Sequence, residues 1–206
     1  MTEKRNRQTE HYFAVVPKAK AKLGIIQTRL RGEPFKFLTS SSVFSKKQVD
    51  PGTRLLIEAM QLPDAGSVLD VGCGYGAVGI TAAASNMRLH VVMTDVNMRA
   101  VQLARRNIKI NKLRNAEALH GCLYEPVKDS MFNCVLSNPP VSAGMVTVLA
   151  IIQDAPAILS CGGTLQMVVR SKIGAKKLPS VFNETFGNCT VLARKSGYRV
   201  LIAENQ

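Results

Sequence analysis

The residues of this chain that could do chemistry gather in three short stretches. VLSNPPVSAG, residues 135–144, runs from an apolar segment into an asparagine and two prolines. Pro139 and Pro140 each lack an N–H and have a fixed φ, so no ladder or helix passes through them. Asn138 therefore stands at the front edge of a rigid turn. VLDVGCGYGAVGI sets Asp70 at the end of a second apolar run, ahead of Gly72, Gly74 and Gly76. Glycines at that spacing let a ligand come close to the backbone at the carboxyl end of a strand. The ligand is not a pyrophosphate: the third glycine comes one residue early for the dinucleotide loop, and no Lys-Ser/Thr follows as in a P-loop. An acid directly before the loop repels phosphate and attracts an ammonium or a sulfonium. The third stretch, VVMTDVN, puts Asp95 25 residues after Asp70, where a carboxylate at a strand tip can accept both hydroxyls of a ribose.

Such residues converge only if strands end side by side, and the hydrophobic pattern provides for this. Strands are predicted over 67–71, 89–94, 116–120, 132–137, 163–169, 189–194 and 198–204. Helices are predicted over 77–85, 98–112, 144–160 and 175–186, with Pro156 kinking or splitting the third. A helix also starts in VDPGTRLLIEAMQ, with Asp50 as N-cap and Pro51 at its first position. The last two strands flank KSG and form an antiparallel hairpin. This alternation predicts an α/β fold: a Rossmann-like, doubly wound, mainly parallel seven-stranded sheet with an antiparallel C-terminal strand. Residues 22–40, around RGEP, read as a basic hairpin appended at the N-terminus. The expected division is 1–48 for the basic extension and 49–206 for the main domain.

Composition narrows the function. The net charge is +13, and residues 1–50 hold 11 basic against 4 acidic groups. That bias favours a polyanion, RNA or DNA ahead of an acidic membrane surface. The five cysteines show no C-x-x-C pair and read as reduced residues in a cytoplasmic protein. The N-terminus lacks the apolar stretch of a signal peptide, and no run reaches the roughly 20 residues of a membrane span. His11, His90 and His120 are not spaced with Cys or acids as a metal set, so no metal is expected. There is no G-x-S-x-G elbow.

Taken together, DVGCGYG, TDVN and SNPP resemble the class I S-adenosylmethionine-dependent methyltransferases. The closer resemblance is to the methyltransferase small-domain group, which includes RsmC-type ribosomal RNA guanine-N2 methyltransferases. FLTSSSVFSKKQVDPGTRLLIEAM is similar to that group's region before the first motif. The whole chain looks most like its single-domain archaeal members.

The resemblance implies S-adenosyl-L-methionine as cofactor. Gly72, Gly74 and Gly76 would wrap its methionine part, with Asp70 near the ammonium, Asp95 on the ribose and Val96 beside the adenine. Cys122 and Leu123 would meet the adenine edge, although many relatives carry Asp where this chain has Cys122. Asn138 would lie at both the cofactor and the reacting centre, with Pro139 and Pro140 holding it rigid. By this reading the Asn138 carboxamide oxygen and the Pro139 carbonyl each accept one N–H of a planar amino group and turn its lone pair toward the methyl.

Val141 stands where relatives offer an aromatic ring to the target base. Phe37, Phe44 and Tyr12 are candidates to supply that ring, and Lys46 and Lys47, with the basic hairpin, to dock the substrate. The expected activity is N-methylation of an exocyclic amine in structured RNA, ribosomal RNA guanine-N2 first and transfer RNA second. Two alternatives stay open: methylation of a protein glutamine, and a non-catalytic RNA-binding or assembly factor that kept the fold.

Overall fold

A computed structural model of the chain describes residues 23–40, 48–139, 144–171 and 177–206. Its frame is one seven-stranded sheet built from β3 (Gly66–Val71), β4 (Leu89–Asp95), β5 (Ala116–His120), β6 (Phe132–Ser137), β7 (Leu159–Arg170), β8 (Thr190–Lys195) and β9 (Tyr198–Glu204). The spatial order is β5-β4-β3-β6-β7-β9-β8, parallel throughout except for β9, which runs antiparallel between β7 and β8. The strands are near-continuous Val/Leu/Ile runs because helices cover both faces. One face packs on α1 (Pro51–Ala59), α2 (Ala77–Ser85) and α3 (Met98–Ile110), the other on α4 (Gly144–Gln153) and α5 (Lys177–Phe186). Chain order reverses direction between β3 and β6. The crevice at such a switch point lies outside the carboxyl ends of the strands, and there Asp70 and Asn138 sit on adjacent strand ends.

Several boundaries moved from the sequence reading. The helix predicted over 144–160 stops at Gln153, a short 3-10 turn spans Ala155–Ala157, and Leu159 already belongs to β7. Pro156 thus splits the segment outright, because it denies the ladder a donor. α1 starts as expected: Pro51 is its first residue and the Asp50 carboxylate accepts from Thr53 N–H at 3.0 Å.

The N-terminal hairpin, β1 (Leu23–Leu30) and β2 (Glu33–Ser40), turns at Arg31 and Gly32, both at positive φ. It is not a loose appendage: Ile26, Leu30, Phe35 and Phe37 lie in the same apolar cluster as α1, α2 and α3. Its second strand would otherwise present bare backbone to α3, and two asparagines deal with that. Asn107 accepts from Leu38 N–H at 2.7 Å and donates to Leu38 C=O at 2.9 Å. Asn111 does the same for Lys36, at 3.3 and 2.9 Å. Four helical residues advance about 6 Å and two strand residues about 6.7 Å, so asparagines at i and i+4 serve every second strand residue. Asn107 also donates to Tyr75 C=O at 2.8 Å, tying the hairpin to the glycine loop.

Candidate active site

Polar side chains at the strand ends hold the site's loops together. The fully buried Ser137 hydroxyl donates to Val71 C=O at 3.0 Å, joining the end of β6 to the end of β3. Thr94, equally buried, donates to Leu123 C=O at 3.0 Å, and its own carbonyl accepts from Gly72 N–H at 2.9 Å. These bonds bring Asp70, Asp95, Leu123 and Asn138 to one edge of the sheet, as the sequence reading expected of their strands.

The glycine loop takes the left-handed backbone that its composition invites, with φ of 72° at Gly72, 58° at Gly74 and 91° at Gly76. Asp70 lies beneath it, 1% exposed, accepting from Gly79 N–H at 2.9 Å. Burial raises its pKa to about 7; the Gly79 N–H opposes that rise and the nearby Asp95 charge adds to it. Asp95 is half-buried, its two oxygens accepting from Gly74 N–H and Asn97 N–H, both at 2.8 Å. Burial raises this carboxyl too, against the pull of the two N–H donors and His120. Each oxygen keeps a second lone pair for an incoming hydroxyl. Next to it, Val96 is exposed, and its carbonyl lies 3.0 Å from a His120 ring nitrogen.

Cys122 is exposed rather than a buried filler. Three residues on, the Glu125 carboxylate lies 3.5 Å from Cys122 N–H, an acceptor that the sequence reading passed over. Leu123, at φ 47°, is held in a left-handed turn.

Asn138 is half-buried, and its carboxamide has a defined orientation. Nδ2 donates to Thr53 Oγ1 at 2.7 Å and faces Asp50 Oδ2 at 3.3 Å. A carboxylate only accepts, so the nitrogen must face α1, and among the described residues Oδ1 has no donor. Asp50 was legible only as a helix cap, and Thr53 not at all, since each acts across more than eighty residues of chain.

Phe37 requires a correction. It is fully buried, its ring 5.8 Å from that of Phe35 and 5.6 Å from that of Tyr75, so it supports the hairpin core and offers no face to a base. Tyr12, Phe44, Lys46, Lys47, Pro140 and Val141 lie outside the described residues.

A methyltransferase small domain model matches residues 34–202. The chain belongs to the methyltransferase small-domain family. It is 36% identical to the uncharacterized protein YbxB of Bacillus subtilis over 198 residues, 95% of this chain and 98% of that one. It is 32% identical to a ribosomal RNA small subunit methyltransferase C of Hamiltonella defensa over 79% of this chain and 48% of that one. Among solved structures, the Thermus thermophilus 16S rRNA N2 G1207 methyltransferase RsmC, in complex with AdoMet and guanosine, superposes at a TM-score of 0.80. There the identity is 28%, with 93% of this chain and 52% of that one covered. These matches are to bacterial proteins, and the chain spans about half the length of the RsmC relatives.

The family's cofactor is S-adenosyl-L-methionine, and this chain's residues fit it. Two carboxyls, both pushed upward by burial, lie beside the glycine loop. A cationic group near Asp70 and ribose hydroxyls on Asp95 would answer both.

Proposed function

We propose that this protein is an S-adenosylmethionine-dependent N-methyltransferase of structured RNA, with the exocyclic N2 amine of a ribosomal RNA guanine as its target. The observation that carries the reading is the fixed carboxamide of Asn138, whose nitrogen is spent on Thr53 and Asp50 while its oxygen has no donor among the described residues. Likeness to an RsmC structure holding AdoMet and guanosine, and a net charge of +13, support the substrate class.

Bound S-adenosylmethionine supplies an electrophilic methyl on a sulfonium. The glycine loop, Asp70 and Asp95 would hold it, with Val96, Leu123 and Glu125 at the adenine end. Asn138 Oδ1 and the Pro139 carbonyl accept the two N–H groups of the target amine. An aromatic amine is a poor nucleophile because its lone pair is delocalised into the ring. With both hydrogens engaged, the nitrogen is drawn toward tetrahedral geometry and its lone pair stands out of the ring plane. Both acceptors also stabilise the positive charge that grows on that nitrogen, and the rigid prolines keep them in place without reorganisation. No base has to act before transfer; the proton leaves afterwards from a cationic amine.

The test is transfer of radiolabel from S-adenosylmethionine to RNA from cells lacking the gene. Small-subunit particles, naked ribosomal RNA and transfer RNA are assayed separately, with Asn138→Ala as control. Label in ribosomal RNA, recovered as N2-methylguanosine and lost in the variant, is the expected outcome. Label in a protein fraction, or none alongside normal cofactor binding, overturns the reading.

A further inference from the structure

A row of three side chains crosses the sheet at the edge that carries Asn138. Arg170, the last residue of β7, is the direct partner of Tyr198, the first residue of β9; Tyr198 in turn pairs with Lys195, the last residue of β8. Directly opposed residues of antiparallel strands point to the same face, so the row reads cation, aromatic, cation. Because β9 runs against its neighbours, its first residue lies where the parallel strands end, at the edge that carries the site.

The contacts fix where the row sits. The Arg170 guanidinium lies over the Tyr198 ring, 5.4 Å from its centroid. Another neighbour of that ring is the first turn of α1: a Cβ placed on Gly52 would come 2.8 Å from Tyr198 Cε1 and 3.0 Å from Asp50 Oδ2. Gly52 is therefore glycine because the ring occupies its side-chain space. The next residue in that turn, Thr53, holds the Asn138 carboxamide. The turn between β8 and β9 is tight, with Ser196 and Gly197 both at positive φ, and Gly197 C=O accepts from Ser171 N–H at 2.8 Å.

Arg170 and Lys195 are exposed, and among the described residues neither has an ion-pair partner. Residues 164–203 hold seven basic side chains against Glu184 alone. Two exposed cations without an ion-pair partner among the described residues, one of them over an aromatic face, are the groups that grip a nucleic-acid backbone.

We infer that Arg170 and Lys195, braced by Tyr198, bind phosphates of the RNA strand flanking the methylated nucleotide. The inference rests on the RNA reading above and moves the docking surface from the N-terminal hairpin to the tips of β7, β8 and β9. The substrate backbone then passes over the end of α1, which places its base beside Asn138.

The experiment measures binding of naked small-subunit ribosomal RNA to the full chain at several salt concentrations. The variants are Arg170→Gln with Lys195→Gln, the charge-keeping pair Arg170→Lys with Lys195→Arg, and the equal-charge control Lys109→Gln with Lys112→Gln on the far end of α3. Removing two phosphate contacts should flatten the slope of log affinity against log salt by about 1.4–1.8. The charge-keeping pair should restore it, and cofactor affinity should not move. An unchanged slope, or an equal change in the α3 control, overturns the inference while methyl transfer by the wild type leaves the RNA reading standing. A wild type that binds cofactor but no RNA overturns both.

Discussion

The Asn138 amide nitrogen donates to the Thr53 hydroxyl at 2.7 Å, a bond that joins the loop after β6 to the first turn of α1 across 85 residues of chain. In the proposed reaction Thr53 is therefore a positioning residue. Thr53→Val removes the acceptor and keeps the shape, so the carboxamide loses its fixed rotamer. A hydrogen bond is worth about 1–1.5 kcal/mol, which predicts a fall of roughly tenfold in kcat. Cofactor Kd and substrate KM should stay within about twofold, and Thr53→Ser should recover the rate. Loss confined to stability, with kcat intact, would refute the assignment.

Asp70 makes the protein pH-sensitive in a direction that can be worked out. Its carboxyl, ordinarily near 3.8, rises to about 7 when folded, so the folded state holds the proton more tightly than the unfolded state. Stability is accordingly lost as pH rises from about 4 to about 7. Asp70→Asn still accepts from Gly79 N–H but cannot ionise. In cofactor-free denaturant melts it should match the wild type near pH 4 and exceed it by up to about 4 kcal/mol at pH 8. Cofactor affinity should run the other way, with wild-type Kd falling as pH climbs through 7 while the variant's stays flat.

At the proposed adenine end, the exposed Cys122 thiol is a weak acceptor, whereas the neighbouring Glu125 carboxylate is a strong one. Isothermal titration with S-adenosylmethionine should show Cys122→Ala within about twofold of wild type. Glu125→Ala should weaken binding by about tenfold, the worth of one charge-assisted hydrogen bond. The reverse ranking would return the role to Cys122.

The buried Asn107 carries three bonds, to Leu38 N–H, Leu38 C=O and Tyr75 C=O. Asn107→Ala strands all three backbone groups, and each costs about 1–3 kcal/mol when buried without a partner. Urea melts should show a loss of about 4 kcal/mol. A loss under about 1 kcal/mol would mean that the hairpin re-pairs elsewhere.

Much of this was legible in the chain because it is local. Apolar runs marked every strand of the sheet, and the glycine spacing together with the acids at two strand ends pointed to a cationic nucleotide-like ligand. Asp50-Pro51 marked the start of α1. What stayed hidden depends on long-range contact. Phe37 looks the same in sequence whether it faces a base or a core, and only its stacking between Phe35 and Tyr75 decides. Tyr198 and Arg170 are 28 residues apart and become a pair only through the register of β7 on β9. Asn107 and Asn111 read as ordinary polar positions on an amphipathic helix; their use as a substitute strand requires β2 beside them.

That substitute strand has a thermodynamic corollary. One carboxamide, Asn107, is shared between the hairpin and the backbone of the glycine loop, so ordering either end lowers the entropy cost of ordering the other. Whatever factor a ligand on the hairpin adds to cofactor affinity, the cofactor must return to that ligand. Through that one side chain, the glycine loop and this chain's N-terminal strands share a hydrogen-bonding partner.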